Sequence, residues 1–154
     1  MGVRIAIDGD AASIAALGLC VWIDTYATDG IRDSLSKYVL SEFTESNMSN
    51  LISSKKVYVS ERNEHINGYA VLRATGKLTE IESLYVLPGF QANGIGREIL
   101  NMAVTNYPGI WLSCWERNER ALSFYKSFGF LISGESYFEL EDEKHRNILL
   151  SYSS

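Results

Sequence analysis

Three groups of residues in this chain have types and spacings suited to chemistry. The first is Gln91-Ala92-Asn93-Gly94-Ile95-Gly96-Arg97, where an apolar strand meets a glycine-bearing loop that opens directly into a helix. Such a loop presents backbone N–H groups and the positive end of a helix to a phosphate. Gly94 and Gly96 leave no Cβ in the way of a close approach. The helix end adds about 0.3–1 kcal/mol per charge, and Arg97 could add an ion pair. Taken alone, the stretch could equally be a plain strand-to-helix turn. The second group centres on Tyr125 in F-Y-K-S-F-G-F. Its phenol can give up a proton as a general acid, or its ring can pack in a core beside Ala121 and Phe128. The third is Glu80 and Glu82, two apart on one strand and so on one face. Either could accept a proton, Glu82 being preferred as nearer the loop, or both could face solvent.

The elements that must position these groups follow from periodicity and turn residues. Val3, Ile5 and Ile7 alternate as a strand. Asp10 is placed to cap a helix running to about Val21. A broken helical region covers 31–53, restarting near Asn47 or Ser49. Strands follow at 57–61 and 66–74, joined as a hairpin, and then at 79–87, ended by Pro88-Gly89. A helix from Gly96 to about Tyr107 stops at Pro108-Gly109, and 110–115 is a strand rich in β-forming residues. Asn118 caps a helix over 119–128 that Gly129 ends. Two last strands, 135–140 and 147–152, flank a charged turn, 141–145, in which His145 is solvated. The order β-α-α-β-β-β-α-β-α-β-β predicts an α/β sandwich, a mixed sheet of six to seven strands with helices on both faces.

Composition narrows the classes. The 154 residues fit one domain, 46% are hydrophobic and 21% charged, and the formal net charge is −5. That balance argues against a nucleic-acid partner. Two cysteines without metal spacing and two histidines make a metal site an unfavoured expectation. No signal layout and no apolar run of about 20 residues is present, so a cytoplasmic setting with no membrane partner is expected. Cys114 reads as a buried packing residue. Trp22 and Tyr26 with Asp24, Asp29 and Asp33 could wall a pocket for a cation, or be mixed core and surface of the first helices.

In this order the motifs resemble the Gcn5-related N-acetyltransferase superfamily, over nearly the whole chain. Gln91 to Gly96 fits its Q/R-x-x-G-x-G/A loop. Leu84-Tyr85-Val86 fits its strand end, and Asn118, Ala121, Phe124, Tyr125, Gly129 and Phe130 fit its N-x-x-A-x-x-F-Y-x-x-x-G-F. A narrower likeness is to PaiA-like polyamine acetyltransferases, through Thr25-Tyr26-Ala27, the W-x-x-x-W-E-x-N-E-R-A of Trp111 to Ala121, and Phe138 to Leu140. Such sequences continue with a glycine and later an Asp, where this chain has Glu141 and Asn147.

The resemblance implies a GNAT-like acyl-CoA N-acyltransferase fold, one N-acetyltransferase domain over 1–154, and acetyl-CoA as co-substrate without a metal. It implies that Gln91, Ala92, Asn93, Gly94, Ile95, Gly96 and Arg97 hold the pyrophosphate. Asn93 stands where relatives often carry a basic residue. The strand of Leu84, Tyr85 and Val86 would splay from its neighbour and offer backbone groups to the pantetheine amides and the thioester oxyanion. Asn118, Ala121, Phe124 and Tyr125 would line the coenzyme, with Tyr125 protonating the departing thiolate and Glu82 helping to deprotonate the acceptor. That acceptor would be a primary amine attacking directly: a polyamine such as spermidine or spermine, an amino acid, an antibiotic or a protein amine. A non-catalytic acyl-CoA-binding module and a plain α/β interaction domain are the rival readings. Relatives often pair, so a homodimer through the C-terminal strands is a further expectation.

Overall fold

A computed structural model of the chain describes residues 2–140 and 142–153, apart from the side chain of residue 140. In chain order the elements are β1 (Gly2–Ile5), a 3-10 turn (Asp8–Asp10), α1 (Ala11–Tyr26), α2 (Asp33–Glu42), α3 (Glu45–Ser54), β2 (Lys56–Arg62), β3 (His65–Thr75), β4 (Leu78–Val86), α4 (Ile95–Asn106), β5 (Ile110–Trp115), α5 (Glu119–Phe128), β6 (Leu131–Leu140) and β7 (Glu143–Tyr152). Seven strands form one sheet in the order β1-β2-β3-β4-β5-β7-β6. Every neighbouring pair is antiparallel except β4 and β5, which run parallel around α4. The expected α/β architecture is therefore present, with helices on both faces.

Strand alternation builds a separate core on each face. Val57, Val59, Tyr69 and Val71 point to α1 and α3 and pack with Ile14, Leu17 and Met48. Ala70, Leu72, Ile81, Ile110, Leu112 and Leu150 point the other way, onto Ile95, Ile99, Leu100 and Ala103 of α4 and onto Tyr125 and Phe130. β3 is buried on both sides, which explains its long apolar run.

Several boundaries differ from the sequence reading. α1 runs on past Val21 to Tyr26, where the rings of Trp22 and Tyr26 stack 4.4 Å apart. Asp10 does not cap α1 with its side chain. Its carboxylate accepts instead from the Ile7 amide at 2.8 Å and from the Arg4 guanidinium at 2.9 and 3.0 Å. The broken helical region is two helices, and the second is capped not at Asn47 or Ser49 but by Thr44, whose hydroxyl accepts from the Asn47 amide at 3.1 Å. β6 and β7 form a longer hairpin than expected, paired from Leu131 opposite Ser151 to Leu140 opposite Glu143. His145 is thus in a strand, with its ring stacked on Phe138 at 5.1 Å rather than free in a turn. Glu141 lies outside the described residues.

The Arg4–Asp10 contact ties β1 to the start of α1, and Arg4 also reaches Glu61 on β2 at 2.9 Å. The Arg4 hydrogen bonds hold the Asp10 carboxyl below its ordinary value of 3.8, against the opposing effect of burial. A carboxyl depressed in the folded state contributes stability that is complete above its unfolded value and fades as pH falls through the folded one. Asp10→Asn should therefore cost about 1–2 kcal/mol in urea unfolding at pH 7, and the gap from the unsubstituted chain should narrow below pH 4.

Candidate active site

β4 and β5 pair over only three positions, Thr79, Glu80 and Ile81 opposite Ile110, Trp111 and Leu112. Beyond Ile81 they part. β4 stays paired to β3 as far as Val86 opposite Gly68, and β5 stays paired to β7 as far as Trp115 opposite Asn147. The facing backbone edges of both strands therefore look into a wedge with no strand between them. The wedge opens into a cavity of about 1100 Å³, lined by residues 81–86 on one side and by 112–115 on the other.

The loop closes one end of this wedge. Gly94 has φ +78° and stands at the N-cap of α4, with nothing within 4 Å of where a Cβ would lie. The amides of Phe90 and Asn93 close turns inside the loop, onto Leu87 O and Phe90 O at 2.9 and 3.2 Å. The α4 ladder begins with Glu98 N to Gly94 O at 3.0 Å. Ile95, Gly96 and Arg97 therefore have no carbonyl one turn back for their amides, and these donors stand at the positive end of the helix dipole. Gly96 has a different job from Gly94: a Cβ there would sit 3.0 Å from Phe124 Cζ, so its absence seats α4 against α5.

Most of the residues singled out from sequence meet at this cavity: Glu82, Leu84, Tyr85, Val86, Gln91, Ala92, Gly94, Gly96, Arg97, Asn118, Ala121, Phe124 and Tyr125 all line it. The side chains of Asn93 and Ile95 do not, and Ile95 is buried in the α4 core. Strand alternation along β4 is as expected. Leu84 and Val86 pack toward α4, and Tyr85 packs toward α1, where its hydroxyl accepts from Trp22 Nε1 at 2.8 Å. Asn118 Oδ1 accepts from the Ala121 amide at 3.2 Å, which caps α5 and leaves the Nδ2 group as a donor.

Electrostatics separate the titratable groups. Burial pushes the Tyr125 phenol well above its ordinary range, and the nearby Cys114 and Tyr85 push the same way. Cys114 shares the cavity, and burial raises its thiol to about 11. Glu82 sits at a β-bulge, since Val71 faces Ser83 and Leu72 faces Ile81. A bulge re-aims the extra side chain. Lys55 Nζ donates to both Glu82 oxygens, at 2.6 and 2.9 Å, and Arg73 Nε lies 3.2 Å away. Glu80 pairs with Arg73 at 2.6 Å and does not line the cavity.

A family model described as an acetyltransferase (GNAT) domain matches residues 53–131. The chain belongs to the GNAT acetyltransferase family. It is thereby an acetyl-CoA-dependent N-acetyltransferase, and the interaction-domain reading falls away. Among its relatives is an uncharacterized N-acetyltransferase of Lactobacillus delbrueckii subsp. lactis, 25% identical over 97% of this chain and 96% of the other. Another is the peptidyl-lysine N-acetyltransferase YjaB of Salmonella typhimurium, 33% identical over 56% of this chain and 54% of that one. The fold matches that of the PaiA N-acetyltransferase from Thermoplasma acidophilum in complex with coenzyme A, with a TM-score of 0.78, 17% identity, and coverage of 99% and 100%.

Against this GNAT frame, two cations escaped the sequence reading. Arg117 and Arg120 both line the cavity. Arg120 Nη1 donates to Gln91 Oε1 at 2.6 Å, and Gln91 Nε2 donates to Val86 O at 3.3 Å, so a polar chain runs from α5 across the loop to the end of β4. The available signal was their flanking of the cap residue in R-N-E-R. Arg97, by contrast, lays its guanidinium over the Phe128 ring, 5.4 Å from the centroid. Among the described residues no cluster of His, Cys, Asp and Glu is placed to hold a metal, and no helix is long and apolar enough to cross a membrane. Because the left-handed Gly94 has open space around it, Gly94→Ala should lose about 1 kcal/mol in thermal unfolding from backbone strain alone, and its KM for acetyl-CoA should rise.

Proposed function

We propose that residues 1–154 act as a single N-acetyltransferase domain that moves the acetyl group of acetyl-CoA onto a primary amine by direct attack. The observation that carries the reading is the wedge between β4 and β5, opening beside the free amides of the α4 N-terminus. A pyrophosphate fits the cradle from Gln91 to Arg97, chiefly through backbone donors, with Arg120 as the nearby cation that Asn93 does not supply. An extended pantetheine arm fits between the parted strands, where the backbone of Leu84, Tyr85 and Val86 can pair with its amides. Ala121, Phe124 and the Asn118 amide face the same channel.

The amine nitrogen bonds to the acetyl carbon, and the carbon–sulfur bond breaks as the tetrahedral intermediate collapses. A backbone N–H at the end of β4 steadies the oxyanion. Tyr125 gives its proton to the departing sulfur. Its phenol stays protonated because burial disfavours phenolate, and the same burial that lifts Cys114 to about 11 makes a neighbouring thiolate a stronger base. The proton released by the amine passes, directly or through water, to Glu82, whose oxygens each keep a second lone pair beside the Lys55 contacts. The acceptor expected from the PaiA-like motifs is a polyamine. The likeness to a peptidyl-lysine N-acetyltransferase supports a lysine side chain as the second reading. The unpaired thiols of Cys20 and Cys114 suit a reducing, cytoplasmic setting. A homodimer through β6 is supported by Leu131, Ile132 and Tyr137, all exposed on that edge strand.

Tyr125→Phe tests the acid role. Turnover should fall by about 10²–10⁴-fold, with KM for acetyl-CoA within about threefold of the original, both read by coenzyme A thiol release. Unchanged turnover would remove Tyr125 from the mechanism. A raised acid keeps its proton until pH passes its folded value, so kcat/KM should climb with pH as the acceptor ammonium deprotonates. No descending limb due to Tyr125 should be seen below about pH 10.

A further inference from the structure

Aromatic side chains that pack on one another line the acceptor half of the cavity. Trp22 and Tyr26 pack at a tilt with centroids 4.4 Å apart, and Tyr26 continues onto Trp115 at 4.8 Å. Phe138 joins the same cluster edge-on to Tyr26 at 6.5 Å. Three separate elements, α1, β5 and the β6–β7 hairpin, thus each bring an aromatic side chain to one chamber. His145 packs behind it, edge-on to Trp115 at 5.7 Å and stacked on Phe138. Carboxylates are scarce by comparison. Among the described residues only Asp24 and Glu82 supply acidic side chains to the lining, and Glu82 is already bound by Lys55 and Arg73. Asp24 is exposed at the rim. Arg97, Arg117 and Arg120 make the remainder of the cavity cationic.

A polyamine carries three or four positive charges and needs as many counter-charges along its length. A chamber lined by aromatic side chains with one unengaged carboxylate matches a ligand with a single cationic centre and a flat apolar body. We propose that this enzyme's preferred acceptor is an aromatic primary monoamine, its ring lying against the cavity side of the cluster of Trp22, Tyr26, Trp115 and Phe138. The proposal rests on the acetyl-transfer reading above and, from the lining of that same site, replaces the polyamine and lysine acceptors with another substrate class. Trp22 also holds Tyr85 through its indole N–H, so the wall is braced against the strand that leads to the reacting carbon.

The test is thiol release by the full chain at saturating acetyl-CoA, with tryptamine, 2-phenylethylamine, spermidine and a lysine-containing peptide as acceptors. Tryptamine or 2-phenylethylamine should exceed spermidine and the peptide at least tenfold in kcat/KM. Trp22→Ala should raise KM for the aromatic amine at least tenfold. Phe138→Ala, which removes the β6 member of the cluster, should raise the same KM at least fivefold while leaving KM for acetyl-CoA within twofold. Equal or better use of spermidine or the peptide would overturn the proposal and leave acetyl transfer standing. So would variants that do not move the amine KM, or an absence of turnover with every amine although acetyl-CoA raises the melting temperature. If acetyl-CoA gave no thermal shift at all, the site reading would fall and this inference with it.

Discussion

Everything in the site depends on a ladder that stops early. Parallel strands with a helical crossover ordinarily stay paired along their shared length, yet β4 and β5 do so at three positions and then diverge. Each compensates on its other side, β4 with β3 and β5 with β7, so the sheet loses no strand. What the divergence leaves is backbone able to pair with an extended ligand, the same physics by which a peptide adds to a sheet edge. The bulge at Glu82 falls at the point of parting and turns that carboxylate to the mouth of the wedge. α4 starts just beyond, so its unpaired amides and the unpaired strand edge are placed as the proposed coenzyme site requires.

Much of this was legible because its causes are local. The Asn118 cap, the Gly129 stop and the Gly94 turn each depend on a residue and its immediate neighbours, and all are found where the motif puts them. Alternation along β4 separated Tyr85 from Leu84 and Val86 correctly for the same reason. Competing contacts, near or far along the chain, were hidden. Asp10 looks like a cap, but Arg4 and the Ile7 amide claim its carboxylate. Glu82 looks like a free base until Lys55 arrives from the end of α3. The Arg120–Gln91 contact depends on how α5 sits against the loop, which no spacing encodes. His145 was misplaced because the β6–β7 hairpin pairs almost to its tip, and charged residues there disguise a strand as a turn.

Burial also organises the chemistry. Tyr125 and Cys114 stand in the same poorly hydrated space, and both are pushed toward their neutral forms. A sulfur anion formed beside them would be driven the same way, so the setting that makes the phenol a reluctant donor makes the thiolate an eager acceptor. One environment thus shifts donor and acceptor in the same direction.

The hydrogen bond from Trp22 to Tyr85 joins the helix that walls the amine chamber to the strand proposed to grip the coenzyme. Neither ligand can displace its own wall without pulling on the other's. Any effect that a ligand in one half has through this bond on affinity in the other is heterotropic linkage, and thermodynamic reciprocity requires the factor to be the same in both directions.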